Sequence, residues 1–258
     1  MIEGNSESSL GVLRRLTAPM AGIIIVIASL AWYETWANSD LLMTFAATPP
    51  VAMSLIDLLL FTSLFVVMMI AMMLPSALPM FITFRGLNRL QAGQRSNGED
   101  VIATVSFASS YFLAWGTFGI VASLGFVVLS MFSPGAVLQF IPAVMLLVAG
   151  AYQFSRIKGA CLARCQSPLD FVMRYWLPGR LGAIRMGLRH ASYCLGCCWL
   201  LMIALFVVGS MSLPWMGLLS LVIFAEKAGT RQLLFSRGIG LLLILLGLVV
   251  MARLLLAY

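Results

Sequence analysis

SLIDLLLFTSLFVVMMIAMMLPSALPMFI, residues 54–82, carries a single charged side chain, Asp57, in an otherwise apolar run. About 20 apolar residues in a helix are enough to cross a ~30 Å hydrocarbon core. The stretch therefore predicts a membrane-spanning helix, and with it an all-α, polytopic transmembrane bundle. Comparable runs recur at about 17–37, 102–131, 136–155, 192–211, 213–226 and 239–257, which makes seven spans. The sixth is short and reads as a tight hairpin with the fifth around Pro214. Composition agrees: the 258 residues are 62% hydrophobic and 10% charged, and mean hydropathy is +1.03. A soluble domain carries about a quarter charged residues, so there is too little polar surface here to coat a water-facing globule.

The connecting segments test this count. Arg14 and Arg15 precede the first span, and Arg85, Arg89 and Arg95 follow the second. Arg156, Lys158, Arg164, Arg174, Arg180, Arg185 and Arg189 lie between the fourth and fifth, and Lys227, Arg231 and Arg237 between the sixth and seventh. The alternate loops, ANSDLLMTFAATPPVAM, SPGAV and GSMSLPW, hold no Lys or Arg. With seven spans every basic residue except Arg253 falls on one side. The positive-inside rule makes that side cytoplasmic, placing the N-terminus inside and the C-terminus outside a bacterial inner membrane. The first apolar run has no small-residue cleavage pattern after it, so no cleavable signal peptide is expected.

The chain thus divides into a cytoplasmic tail, 1–16, and a single integral membrane domain, 17–258, whose long cytoplasmic segment 156–191 is rich in Cys and Arg. Within that segment SPLDFVMRYWLPGR sets Phe171, Val172, Tyr175 and Trp176 against Arg174 and Arg180. This suits a short helix lying in the headgroup layer. The net charge of +7 reads as lipid tethering and topology rather than nucleic-acid binding.

All five cysteines, Cys161, Cys165, Cys194, Cys197 and Cys198, fall between residues 161 and 198. Cys161 and Cys165 can share one helical face, as can Cys194, Cys197 and Cys198, with His190 one turn before Cys194. Two half-sites of soft ligands therefore flank the cytoplasmic segment. Cytosolic thiols stay reduced, so free or metal-bound cysteines are expected rather than disulfides. Thiolates with an imidazole suit Cu(I), with Zn(II) as the second choice. Any one cysteine is equally a small, buriable apolar residue, so it is the cluster that carries the reading. Whether the two groups meet in space is left open by the sequence.

A second set, MMIAMMLPSALPM, places Met68, Met69, Met72 and Met73 before Pro75 and Pro79, which are expected to break the helix and free carbonyls near Ala71 and Pro75. Thioethers can pass Cu(I) along a dry path, and Met202, Met211 and Met216 would extend it; methionine is also the usual gap-filler of apolar cores. Asp57 stands near the outer end of its span, where a carboxylate in lipid costs about 2.5 to 3.5 kcal/mol, and so should face the bundle or water. Glu226 beside Lys227 reads as an interfacial ion pair rather than a catalytic dyad. No phosphate-binding glycine loop and no Ser/His/Asp order is present, and an enzyme is not expected.

These strings resemble a family. HASYCLGCC (190–198) followed by WLLMIALFVVGSMSLPWMGLLSLVIFAEK (199–227), with GAYQFSRIKGACLARCQSP, MMIAMMLPSALP and YFLAW, is similar to a bacterial domain-of-unknown-function family of predicted metal-binding integral membrane proteins, some labelled copper chaperones. The resemblance runs from about Asp57 to Lys227 and implies metal ligation by Cys161, Cys165, His190, Cys194, Cys197 and Cys198. EKAGTRQ lacks the proline that the family pattern sets soon after its Glu-Lys pair.

The expected function is a soft-metal membrane protein that receives Cu(I) and supplies it to a cuproprotein, a metallochaperone partner or a membrane complex. A membrane thiol oxidoreductase using CLGCC, a metal transporter and a structural accessory subunit are the alternatives. A homo-oligomer is compatible with the sequence, which fixes no oligomeric state.

Overall fold

The computed structural model describes residues 3–47, 53–92, 97–132, 139–207, 213–229 and 232–256. Among them are ten helices and no strand: α1 Glu3–Ala37, α2 Ser39–Ala47, α3 Leu55–Ala92, α4 Asn97–Phe132, α5 Ile141–Tyr152, α6 Arg156–Gln166, α7 Pro168–Tyr175, α8 Gly179–Val207, α9 Leu213–Ala228 and α10 Gln232–Leu256. Arg95, Arg231, Met211 and residues 133–138 and 208–212 lie outside the described residues.

Among the described residues four helical stretches are long and apolar enough to cross a membrane: Leu55–Arg89, Gly98–Gly125, Gly179–Leu205 and Gln232–Leu256. Ala21–Ala37 and Ile141–Tyr152 are shorter apolar helices. Their outward faces carry Ile56, Val121, Leu181, Leu234 and Leu241, each more than half exposed. So much contiguous exposed apolar surface fits contact with lipid.

The helices overrun the apolar runs that announce them. The fifth run was expected from residue 192, but α8 begins at Gly179 and is 29 residues long, about 43 Å at 1.5 Å per residue. Arg185, Leu188 and Arg189 are exposed, while Ala183, Met186, Gly187, His190 and Ala191 are buried. The charges ride on the outer face and do not end the helix. His190, Cys194, Cys197 and Cys198 therefore stand inside α8 rather than at its start. In the loop expected at ANSDLLMTFAATPPVAM, residues 39–47 form α2, with Leu42 and Phe45 buried in the core.

Nor do Pro75 and Pro79 break α3, contrary to expectation; the helix runs through both. Around Pro75, side chains bond the backbone carbonyls: Ser220 of α9 donates to the Met72 carbonyl at 3.1 Å and Ser76 to that of Met73 at 3.0 Å. These bonds go to carbonyls near the ones that the prolines free, those of Ala71 and Pro75.

The core sits where α3, α4 and α8 meet. Phe81 packs edge-on against Tyr111 at 5.5 Å, and Phe84 stacks on Phe107 at 4.4 Å; such pairs contribute about 0.5–1.5 kcal/mol each beyond burial. Helices α5 and α10 approach backbone to backbone: a Cβ on Gly150 would lie 2.8 Å from the Gly240 carbonyl oxygen. Helix α7 forms where a headgroup-layer helix was expected, but its Phe171 and Val172 are fully buried against the bundle. Its apolar face is used on protein.

Candidate metal centre

Helix α8 supplies the first donor group. Cys194, Cys197 and Cys198 recur at helical spacing on one buried face, 0%, 2% and 1% exposed. The thiols of Cys197 and Cys198 both donate to the Cys194 carbonyl, each at 3.0 Å.

The second group arrives on α6, whose start is capped by the Ser155 side chain accepting from the Lys158 amide. Packing of α6 on α8 sets the buried Cys165 thiol close enough to Cys194 and Cys197 to interact with them electrostatically. The Cys161 sulfur lies over Gly196, where an added Cβ would sit 2.6 Å from it. The two cysteine groups do meet. The contacts with Cys194 and Cys197, reinforced by burial, hold the Cys165 thiol well above the ordinary cysteine range. Burial, then Cys197, pushes the Cys161 thiol up as well.

Three more elements close on this cluster. From α3, the Met73 thioether lies 3.8 Å from the Cys198 sulfur. From α4, the Tyr111 hydroxyl is 3.2 Å from the Cys194 sulfur. From α9, the Lys227 ammonium donates to the Cys194 sulfur at 3.1 Å and to the Ser76 hydroxyl at 2.9 Å. The buried ammonium is suited to balance the negative charge of a metal–thiolate group.

Lys227 therefore does not pair with Glu226, as the adjacent charges had suggested. Glu226 instead accepts from the Lys158 ammonium at 2.8 and 2.9 Å, both side chains being almost fully buried. Gln153 also accepts from Lys158, and from Ser236 at 2.9 Å, while Gln166 donates to the Glu226 carbonyl at 2.9 Å. This network ties α6 to α9, beside the sulfurs.

His190 is buried one turn before Cys194, stacked on Tyr111 at 5.3 Å with Phe107 and Phe171 around it. Both of its ring nitrogens lack a hydrogen-bond partner. An unpartnered buried imidazole costs stability unless something else engages it. Met68, Met69, Met72 and Met202 are all at most 1% exposed in the same core, and Met216 is fully buried. Asp57 stands apart, about 24 Å along α3 from Met73. Its carboxylate accepts from the Ser54 amide and hydroxyl at 3.0 and 2.7 Å, closing a reciprocal cap with the Asp57 amide.

Among the described residues no three His, Cys, Asp or Glu side chains are already gathered in metal-holding geometry. Two thiols are turned onto the helix backbone, and a χ1 change redirects a cysteine sulfur. The chemistry of the donors is uniformly soft: thiols, a thioether and an imidazole in an apolar setting, the set that favours Cu(I). Sequence reasoning did not assign Tyr111, Ser76 or Lys227 to the cluster, although the first lies in the YFLAW string and the last in the Glu-Lys pair.

Fold and cluster together define an all-helical bundle, with apolar candidate spans, built around buried sulfur donors. The chain belongs to the PpoB2 family, described as copper chaperone, whose sequence model matches residues 62–250. That match takes in every residue of the cluster and leaves Asp57 outside it. No protein of curated function and no solved structure matches the chain. Membership makes copper handling, in general terms, the business of this protein.

Proposed function

We propose that the protein is a multi-pass protein of the bacterial inner membrane that takes up Cu(I) and passes it to a partner cuproprotein or membrane complex. Cys194, Cys197 and Cys198 are the principal ligands, with Cys161 and Cys165 completing the set and His190 available beside them. Met73, Met72, Met69, Met68 and Met202 supply the thioether route. The reading is carried by one observation: α6 brings Cys165 to Cys194 and Cys197 while Cys198 lies 3.8 Å from Met73. Thiolates and thioethers select Cu(I), and exchange between them requires no change of oxidation state. Zinc is the second choice for the same thiols. Family membership favours copper handling over thiol redox chemistry. Seven spans, with the N-terminus inside and the C-terminus outside, follow from the distribution of basic residues.

The test is metal content of the reduced, detergent-purified protein after loading with Cu(I), beside the variant Cys194→Ser, Cys197→Ser, Cys198→Ser. Stoichiometric copper that disappears in a variant retaining its helical circular dichroism is the expected result. Copper absent from both proteins would remove the reading.

A further inference from the structure

We infer that Cys161 is the receiving thiol, the point at which copper first bonds to the protein, and that Gly196 is the close-approach point that brings its sulfur to the α8 cysteines. The inference rests on the copper reading above and adds an order to it. Cys161 alone among the cysteines is only half-buried; Cys165 is 8% exposed and the three on α8 are at most 2% exposed. The Cys161 sulfur is the one most accessible to a donor molecule.

The geometry around Cys161 is that of a handover. Its sulfur lies directly over Gly196, with 2.6 Å left for the Cβ that any other residue would add. The glycine of CLGCC lets a sulfur from α6 approach the α8 backbone between Cys194 and Cys197. The Tyr152 hydroxyl donates to the Gly196 carbonyl at 2.5 Å and pins this turn from α5. Cys165, one turn further along α6, lies within electrostatic reach of Cys194 and Cys197, and Cys198 then faces Met73. The sulfurs thus form a graded series from half-buried to fully buried.

The surroundings define the class of donor. Apart from Lys158, whose charge Glu226 balances, segment 156–191 holds six basic residues against one acidic residue, Asp170. Such a field attracts anions. A Cu(I) ion held by two small thiolates carries one net negative charge and fits. The Cys161 thiol bonds to the copper, one donor thiolate leaves carrying the Cys161 proton as a free thiol, and copper stays Cu(I) throughout. Repetition with an inner thiol releases the second donor molecule.

Two measurements test this. The first needs no copper: folded, reduced wild-type protein is treated with substoichiometric N-ethylmaleimide and mapped by peptide mass spectrometry over time. Cys161 is expected to be modified first; any other cysteine reacting ahead of it overturns the order. The second follows loading from Cu(I)–glutathione by stopped flow in wild type, Cys161→Ser and Gly196→Ala. Loading at least tenfold slower in both variants, with Cys161→Ser still reaching a copper-loaded endpoint, is the expected result. Wild-type speed in Cys161→Ser, or complete loss of the endpoint there, overturns a receiving role. A wild type that takes up no copper would instead remove the function proposed above, and this inference with it.

Discussion

At the scale of single residues, the centre is a set of sulfurs with one positive charge placed among them. The Lys227 ammonium, 3.1 Å from the Cys194 sulfur, has little to gain from a neutral thiol. It gains more from the negative group that forms when Cu(I) joins two thiolates, and a hydrogen bond to a charged partner contributes about 1.5–3 kcal/mol. Lys227→Met is therefore expected to weaken Cu(I) binding about tenfold or more, read by competition against bicinchoninate. Unchanged affinity would leave the ammonium a packing element only. The sequence made the donor types legible here, because spacings of three and four within Cys194–Cys198 are local and survive any tertiary arrangement. It misplaced Lys227 because the nearest opposite charge along a chain is a poor guide on a helix. Successive residues point about 100° apart, so Glu226 and Lys227 serve different neighbours.

At the scale of elements, the position of α6 decides whether the two cysteine groups form one cluster. Helix α6 is held by the Lys158–Glu226 pair at 2.8 Å, deep in the protein. Glu226→Gln leaves a buried ammonium without its counter-charge, and breaking such a pair costs about 3–5 kcal/mol. The expected outcome is a clear fall in the thermal unfolding midpoint in detergent, accompanied by weaker copper retention. The double variant Lys158→Met, Glu226→Leu is expected to regain most of the midpoint, because no lone charge remains. A single variant as stable as wild type would show that the pair does not hold α6. The lengths of α3 and α8 were only partly readable from sequence. A hydropathy window ends at Arg180, Arg185 and Arg189. The helix itself continues wherever charges turn outward, as Arg185 and Arg189 do on α8.

At the scale of the whole molecule, the all-helical class was legible from the length of the apolar runs, because no other element uses so many consecutive apolar residues. The meeting of α6 with α8 was not, since Cys165 and Cys194 are separated by α7 and the start of α8 and no local pattern records their contact. Orientation can be tested directly. Alkaline phosphatase fused after Tyr258 is expected to be active and a green fluorescent protein fused there dark; the reverse pattern would remove the outward C-terminus. The last turn of α9, finally, bears on how the bundle is assembled correctly. Its carboxylate and its ammonium occupy consecutive positions and answer to an ammonium on one side and to sulfurs on the other. Slipping α9 by one residue one way would set Lys227 against Lys158 and Ala228 against the sulfurs; slipping it the other way would set Glu226 against the sulfurs and leave Lys158 facing Ala225. Two neighbouring letters of sequence thus proofread the seating of an otherwise greasy, slippery helix.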